Sequence, residues 1–210
     1  LTPKPLVNLG NHSMIFHIMQ IYMKNGFNYF IITTGYKHSN FVNYFEKILS
    51  KKLKEKIKIV KKNQIVEIIF KNFKVLLVFT GVKTLTANRI KKCKNLINKK
   101  KYFMVTYADS LLNVKIKKSF KLLKKTNKIG IMTTVNPNER FGTLNIKNNL
   151  VINFKEKKIN KNIWINCGFF IFKSEFLAYI KEKSMLERAP LYKLTKKKLL
   201  MAFKHKGFFH

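Results

Sequence analysis

Acidic residues are scarce in this chain: 9 Asp and Glu stand against 44 Lys and Arg in 210 residues, for a net charge of +35. Cysteine is scarcer still. Cys93 and Cys167 build neither a disulfide framework nor a four-ligand zinc site, and the five histidines do not cluster around them. A reduced, cytoplasmic protein is the reading that fits. No apolar run approaches the roughly 20 residues that cross a bilayer. The opening Leu1-Thr2-Pro3 is not a charged segment followed by an apolar one. The sequence therefore predicts neither a membrane partner nor a targeting signal.

What is present is apolar bulk, 46% hydrophobic and 13% aromatic, enough for one sizeable core and a single domain over residues 1–210. The lysines are spread along nearly the whole chain, and Asn, Ile, Phe and Tyr are also frequent, the residue set favoured by AT-rich codons. Nucleic-acid footprints usually cluster on one face or stripe, so the charge predicts no specific nucleic-acid partner. Nonspecific attraction to DNA at low salt follows from the charge alone.

Short β-branched and aromatic runs alternate with segments whose apolar residues recur every three to four positions, the pattern of an α/β fold with a mostly parallel, Rossmann-like sheet flanked by helices. From His12 to Lys24, Ile15, Ile18, Met19 and Tyr22 share one helical face before an Asn25-Gly26 stop. A strand is expected over 30–34, then a helix capped by Ser39. Further strands are expected over 65–70, 75–80, 102–106 and 129–135, with one helix over 85–98. Short strands at 142–146 and 150–154 around an Asn148-Asn149 turn make a small β insertion. A strand over 164–172, helices near 175–181 and 190–197 and a strand over 199–203 close the pattern. Phe169, Phe170 and Phe172 are expected to pack on both faces of the sheet, with Trp164 in the core.

Asp109 follows the strand over 102–106. Ligands of open α/β sheets sit beyond the carboxyl ends of strands, so this carboxylate is placed to hold a metal or phosphate. The same spacing also suits a helix N-cap or a turn residue.

Several segments together resemble the sugar-nucleotide pyrophosphorylase (nucleotidyltransferase) family, and within it the cytidylyltransferase branch. They are Pro3-Lys4-Pro5-Leu6-Val7, His17-Ile18-Met19, Gly35-Tyr36-Lys37, Phe103 to Ser110, Arg140-Phe141-Gly142-Thr143-Leu144, Phe154-Lys155-Glu156-Lys157, Ile165-Asn166-Cys167-Gly168-Phe169-Phe170 and Leu200 to Phe209. Their order and spacing along the chain carry the likeness. It implies a GT-A-like nucleotidyltransferase architecture and an enzyme that joins CTP and glucose 1-phosphate, giving CDP-glucose and pyrophosphate for surface polysaccharide. Mg²⁺ as cofactor and a homo-oligomeric state are implied with it.

The implied transition state is crowded with negative charge, so positioning and electrostatics would supply the catalysis. By the resemblance, Lys4 meets the phosphates and Asp109 ligates Mg²⁺. Thr84 and Arg89 contact the nucleotide, with Ala108 beside them, and Glu156, Lys157, Asn166, Gly168 and Arg140 line the sugar-phosphate side. A Gly-rich loop and a first strand before Leu1, and a second metal-binding aspartate after His210, are expected outside this sequence, a chain truncated at both ends. Within it, Ala87 and Asn88 replace a Gly-Gly pair, Ala108 and Ser110 replace glycines around Asp109, and Cys167 replaces another. Each adds a side chain where backbone meets ligand or needs unusual dihedrals. Two alternatives stay open on that account: transfer from dTTP, GTP or UTP, and an inactive basic remnant binding nucleic acid nonspecifically.

Overall fold

The computed structural model describes residues 2–137, 143–155 and 163–208. A 3-10 turn at Lys4–Leu6 leads into a short hairpin, β1 (Asn8–Leu9) and β2 (His12–Ser13), and then α1 (Met14–Met23) and β3 (Tyr29–Thr34). Next come α2 (His38–Asn43), a π-helical stretch Tyr44–Leu49, α3 (Ser50–Leu53), and strands β4 (Lys58–Lys62), β5 (Ile65–Ile69) and β6 (Lys74–Phe79). The middle of the chain forms α4 (Thr86–Lys92), α5 (Lys94–Ile97), β7 (Tyr102–Thr106), α6 (Ile116–Lys124) and β8 (Gly130–Val135). The hairpin β9 (Thr143–Lys147) and β10 (Leu150–Lys155) precedes β11 (Ile165–Lys173), a 3-10 segment Ser174–Tyr179, α7 (Ala189–Lys196) and β12 (Leu200–His205).

The α/β architecture is the expected one, but its sheets are mixed. Two four-stranded sheets run β3-β6-β5-β4 and β12-β8-β11-β7. Parallel pairing joins β3 to β6 and β12 to β8, whereas β5 and β11 are antiparallel to both their neighbours. Antiparallel pairing of β4 with β5 follows from a connection too short for a helical crossover: only Asn63 and Gln64 lie between them, with Asn63 in the left-handed region (φ 51). The β9–β10 hairpin turns on Asn148 and Asn149 (φ 49 and 64), the backbone a two-residue hairpin loop requires, and leaves Ile146, Leu150 and Ile152 exposed.

Apolar side chains of β6 go both ways, Leu76 and Val78 to one core and Val75 and Leu77 to another, which is why the strand is an unbroken apolar run. β11 does the same: Phe170 and Phe172 join Leu76 and Val78, while Phe169 packs with Ile18, Tyr22 and Val135 on the opposite face. One core is therefore shared by both sheets. Trp164 is not part of it; the ring is half-buried, with the Lys204 ammonium 4.9 Å from its centroid. Ser39 lies inside α2 and caps nothing, since Lys37, in the left-handed region (φ 59), precedes the helix. The expected helix over 85–98 is broken at Cys93 into α4 and α5.

Ser13 caps α1: its fully buried hydroxyl accepts from the Phe16 amide at 3.4 Å and donates to the Tyr44 hydroxyl at 2.7 Å. Ser13→Ala removes the cap and leaves a buried phenol without this partner. It should cost about 2 kcal/mol, read as a lower midpoint in urea with an unchanged slope.

Candidate active site

Lys4 and Asp109, far apart in the sequence, meet in space. Their side chains are 68% and 55% exposed and Nζ lies 3.8 Å from Oδ2. Lys4 rides on the first 3-10 turn, closed by the Leu6 amide on the Pro3 carbonyl (2.8 Å) and anchored by buried Leu6. Asp109 lies just beyond β7, and Lys115, not Asp109, stands at the N-cap of α6. The carboxylate therefore has no capping role there, and an open ion pair of this kind contributes little to stability.

The turn that carries Asp109 is stitched to β11. The Tyr107 amide donates to the Gly168 carbonyl (3.0 Å), and the Ser110 hydroxyl to the Cys167 carbonyl (3.4 Å). Gly168 has φ +79, and a Cβ there would lie 3.0 Å from the Tyr107 ring, so only glycine suits both its backbone and its neighbour. The side-chain oxygen of Asn166 accepts from the Gly168 amide at 2.9 Å and holds that bend. Asn166 and Gly168 are thus beside the Asp109 turn. Glu156, Lys157 and Arg140 lie outside the described residues.

Thr84 and Arg89 belong to a second cluster, at the carboxyl ends of β3 and β6. Arg89 donates through one terminal nitrogen to the Thr34 carbonyl (2.8 Å) and the Thr80 hydroxyl (2.6 Å), and through the other to the Val82 carbonyl (3.4 Å). Thr80 passes the interaction on, its hydroxyl donating to the Thr34 carbonyl at 2.8 Å. The Thr80 carbonyl accepts from Thr84 (2.6 Å) and Lys92 (2.7 Å). Arg89 is no solvated helix arginine: burial lowers its pKa, and its bonds to Thr34, Thr80 and Val82 fix the plane of the guanidinium. Nor does Thr84 cap α4, whose N-cap position is Leu85.

Sequence reasoning missed what Gly35 and Gly81 do in this cluster. A Cβ on Gly35 would lie 2.8 Å from the Arg89 guanidinium and 2.9 Å from the Gly81 carbonyl, and Gly81 has φ +100. Thr34, Thr80 and Lys92 were missed too, because they act on or through main-chain oxygens.

The five residues that replace glycines are accommodated. The left-handed non-glycine positions among the described residues are Lys37, Lys54, Asn63, Asn148, Asn149, Lys183 and Lys198, so none of the five is strained in that way. Ala87 is fully buried and Ala108 packs against a core. Asn88 bonds the Lys181 carbonyl (2.9 Å) and the Ser184 amide (2.7 Å). Cys167 donates from sulfur to the Thr133 carbonyl (3.0 Å), and burial pushes its thiol up to about 11, which keeps that donor proton in place.

A family profile described as Nucleotidyl transferase matches residues 1–208. Glucose-1-phosphate cytidylyltransferase of Salmonella typhimurium is 30% identical over 214 residues, covering 98% of this chain and 81% of the relative. A probable glucose-1-phosphate cytidylyltransferase of Bacillus subtilis is 31% identical over 208 residues, with the same coverage. Among solved structures, HddC from Yersinia pseudotuberculosis superposes with a TM-score of 0.69 at 20% identity, over 99% of this chain and 83% of that one. A putative glucose-1-phosphate thymidylyltransferase from Bacillus anthracis gives 0.65 at 18%, over 99% and 80%. These last two likenesses concern the fold. No helix among the described residues is long and apolar enough to cross a membrane.

Proposed function

Because this chain belongs to the nucleotidyl transferase family, we propose that it is an enzyme joining CTP and α-D-glucose 1-phosphate to give CDP-glucose and pyrophosphate. Its place is the cytoplasm, in supply of surface polysaccharide, as a homo-oligomer and a single domain. The observation that carries the reading is the meeting of Lys4 and Asp109 at the end of β7. A cation and an anion held in solvent a few ångströms apart suit a ligand that brings both phosphate and metal.

The sugar phosphate oxygen attacks the α-phosphorus of CTP, one P–O bond forms, and the bond to the β-phosphate breaks with pyrophosphate as leaving group. Lys4 offsets charge on a nonbridging phosphate oxygen. Asp109 is half-exposed, and the described residues offer no group of three or more His, Cys, Asp or Glu. That donor set fits Mg²⁺, which keeps waters and substrate phosphates and needs one or two carboxylates from the protein. Asp109 would hold the ion, and the chemistry it would supply is an offset to the charge of the nucleotide phosphates. Asn166 and the Gly168 bend hold the sugar side, together with Glu156, Lys157 and Arg140. Thr84, Arg89 and Ala108 serve the nucleotide side. Arg89 spends N–H groups of both terminal nitrogens on Thr34, Thr80 and Val82, and its five donors leave others to meet a nucleotide.

Identification of CDP-glucose as the product from CTP and glucose 1-phosphate tests the reading in the full-length protein; CTP recovered unchanged would refute it. Arg89→Lys cannot reproduce the planar fork. It should raise the KM for CTP about tenfold with a smaller change in the KM for glucose 1-phosphate.

A further inference from the structure

The two clusters sit on different elements, Arg89 on α4 and Asp109 beyond β7, and one later segment touches both supports. At one end, the Leu186 amide donates to the Thr86 hydroxyl (2.8 Å), while Asn88 accepts from the Ser184 amide and donates to the Lys181 carbonyl. Both anchors belong to the turn of α4 that precedes Arg89. Ser184 is itself buried, and its hydroxyl closes the segment on the Lys181 carbonyl (2.6 Å), with Lys183 in the left-handed region (φ 49). Leu186 is fully buried in the core shared by both sheets.

At the other end, the Tyr107 hydroxyl donates to the Glu187 carboxylate. Tyr107 opens the turn that carries Asp109, its ring lies against Gly168, and it meets Phe170 edge-on at 5.8 Å. Two neighbouring side chains, Leu186 and Glu187, thus fix the segment to the core and to the Asp109 turn.

We infer that residues 181–187 form a strap that sets the position of Arg89 relative to Asp109, with Glu187 and Asn88 as its positioning residues. Both act through other residues, Glu187 through Tyr107 and Asn88 through Lys181 and Ser184. The inference rests on the reading of Arg89 and Asp109 as nucleotide and metal groups, but the strap itself has a physical signature independent of turnover. It also explains Asn88, which stands where the family resemblance implies glycine. The asparagine amide supplies both an acceptor and a donor to the strap, and a glycine supplies neither from its side chain.

The test uses Glu187→Ala, Glu187→Gln, Tyr107→Phe and the Glu187→Ala/Tyr107→Phe double variant of the full-length protein. NMR follows the Arg89 Nε–H signal, and urea midpoints check the fold. A strap shifts the Arg89 signal in Glu187→Ala and in Tyr107→Phe, although neither residue bonds Arg89, and Glu187→Gln, which retains an acceptor, shifts it less. In turnover, Glu187→Ala and Tyr107→Phe should each lose about tenfold in kcat at limiting Mg²⁺, and Glu187→Gln less. The double variant should be no worse than either single one, since both remove the same bond. An Arg89 signal unmoved in folded Glu187→Ala and Tyr107→Phe overturns the strap, whatever the activity. A moved signal with no turnover from any nucleotide by the unaltered protein supports the strap and sinks the functional reading instead. Independent, multiplying losses of turnover in the double variant overturn the pairing of Glu187 with Tyr107.

Discussion

Asp109→Asn should lower Mg²⁺-dependent pyrophosphate release from CTP and glucose 1-phosphate by at least about 100-fold, with little change in stability. The asparagine keeps the volume and one acceptor oxygen of the side chain, so the turn held by Tyr107 and Ser110 has no reason to move. What disappears is the negative charge. Without it a divalent cation would lose the carboxylate that Asp109 would offer it, and Lys4, 3.8 Å away, loses its counter-ion. The fold is insensitive because an exposed pair contributes at most about 1 kcal/mol. Steady-state rates across an Mg²⁺ series, beside a urea titration, separate the two effects. A variant that keeps more than about a tenth of the activity at every Mg²⁺ concentration would remove Asp109 from the metal site.

The largest stability effect is expected at Phe172→Ala, about 3–5 kcal/mol. Phe172 is fully buried on β11 in the core shared by the two sheets. Its ring stacks on Phe176 with centroids 3.9 Å apart and planes 9° from parallel, and Phe170 and Phe103 lie 5.7 Å away. It also fills the space over Gly130, where a Cβ would come within 2.6 Å of it. Truncation leaves a cavity bounded by strands on both sides, which cannot collapse without moving β8 or β11. Against a typical total of about 5–15 kcal/mol, the loss is a large share. Chemical denaturation should show a much lower midpoint; a change below about 1 kcal/mol would mean that this core is not the seam between the sheets.

Much of this fold is legible because burial on both faces writes itself into the residues. β6, β7 and β11 are largely apolar runs, and the structure has them within a residue or so of the expected bounds. β4 is exposed throughout and carries Lys58, Lys61 and Lys62, so no buried face marks it as a strand in the sequence. The break at Cys93 is hidden because apolar spacing continues across it, with Ile90, Cys93 and Ile97 all buried on one side. Two-residue strands such as β1 and β2 are too short to show a period.

The candidate site divides in the same way. Lys4, Asp109, Asn166 and Gly168 stand out through motifs, and the structure brings them together at the ends of β7 and β11. The setting of Arg89 does not stand out, because most of its partners are carbonyl oxygens that every residue carries. Gly35 is visible only as part of Gly35-Tyr36-Lys37; that it makes room for a guanidinium emerges from the packing alone. The replaced glycines read as losses in sequence, yet Asn88, Ser110 and Cys167 each make a hydrogen bond that a glycine side chain cannot make.

The most direct test of the functional reading is pyrophosphate release by the full-length protein from CTP, UTP, dTTP, GTP and ATP in turn, each with glucose 1-phosphate and Mg²⁺. A cytidylyltransferase releases it from CTP well above the others and not at all without the sugar phosphate. Equal release from another nucleotide, or none from any by a folded protein, would contradict that reading.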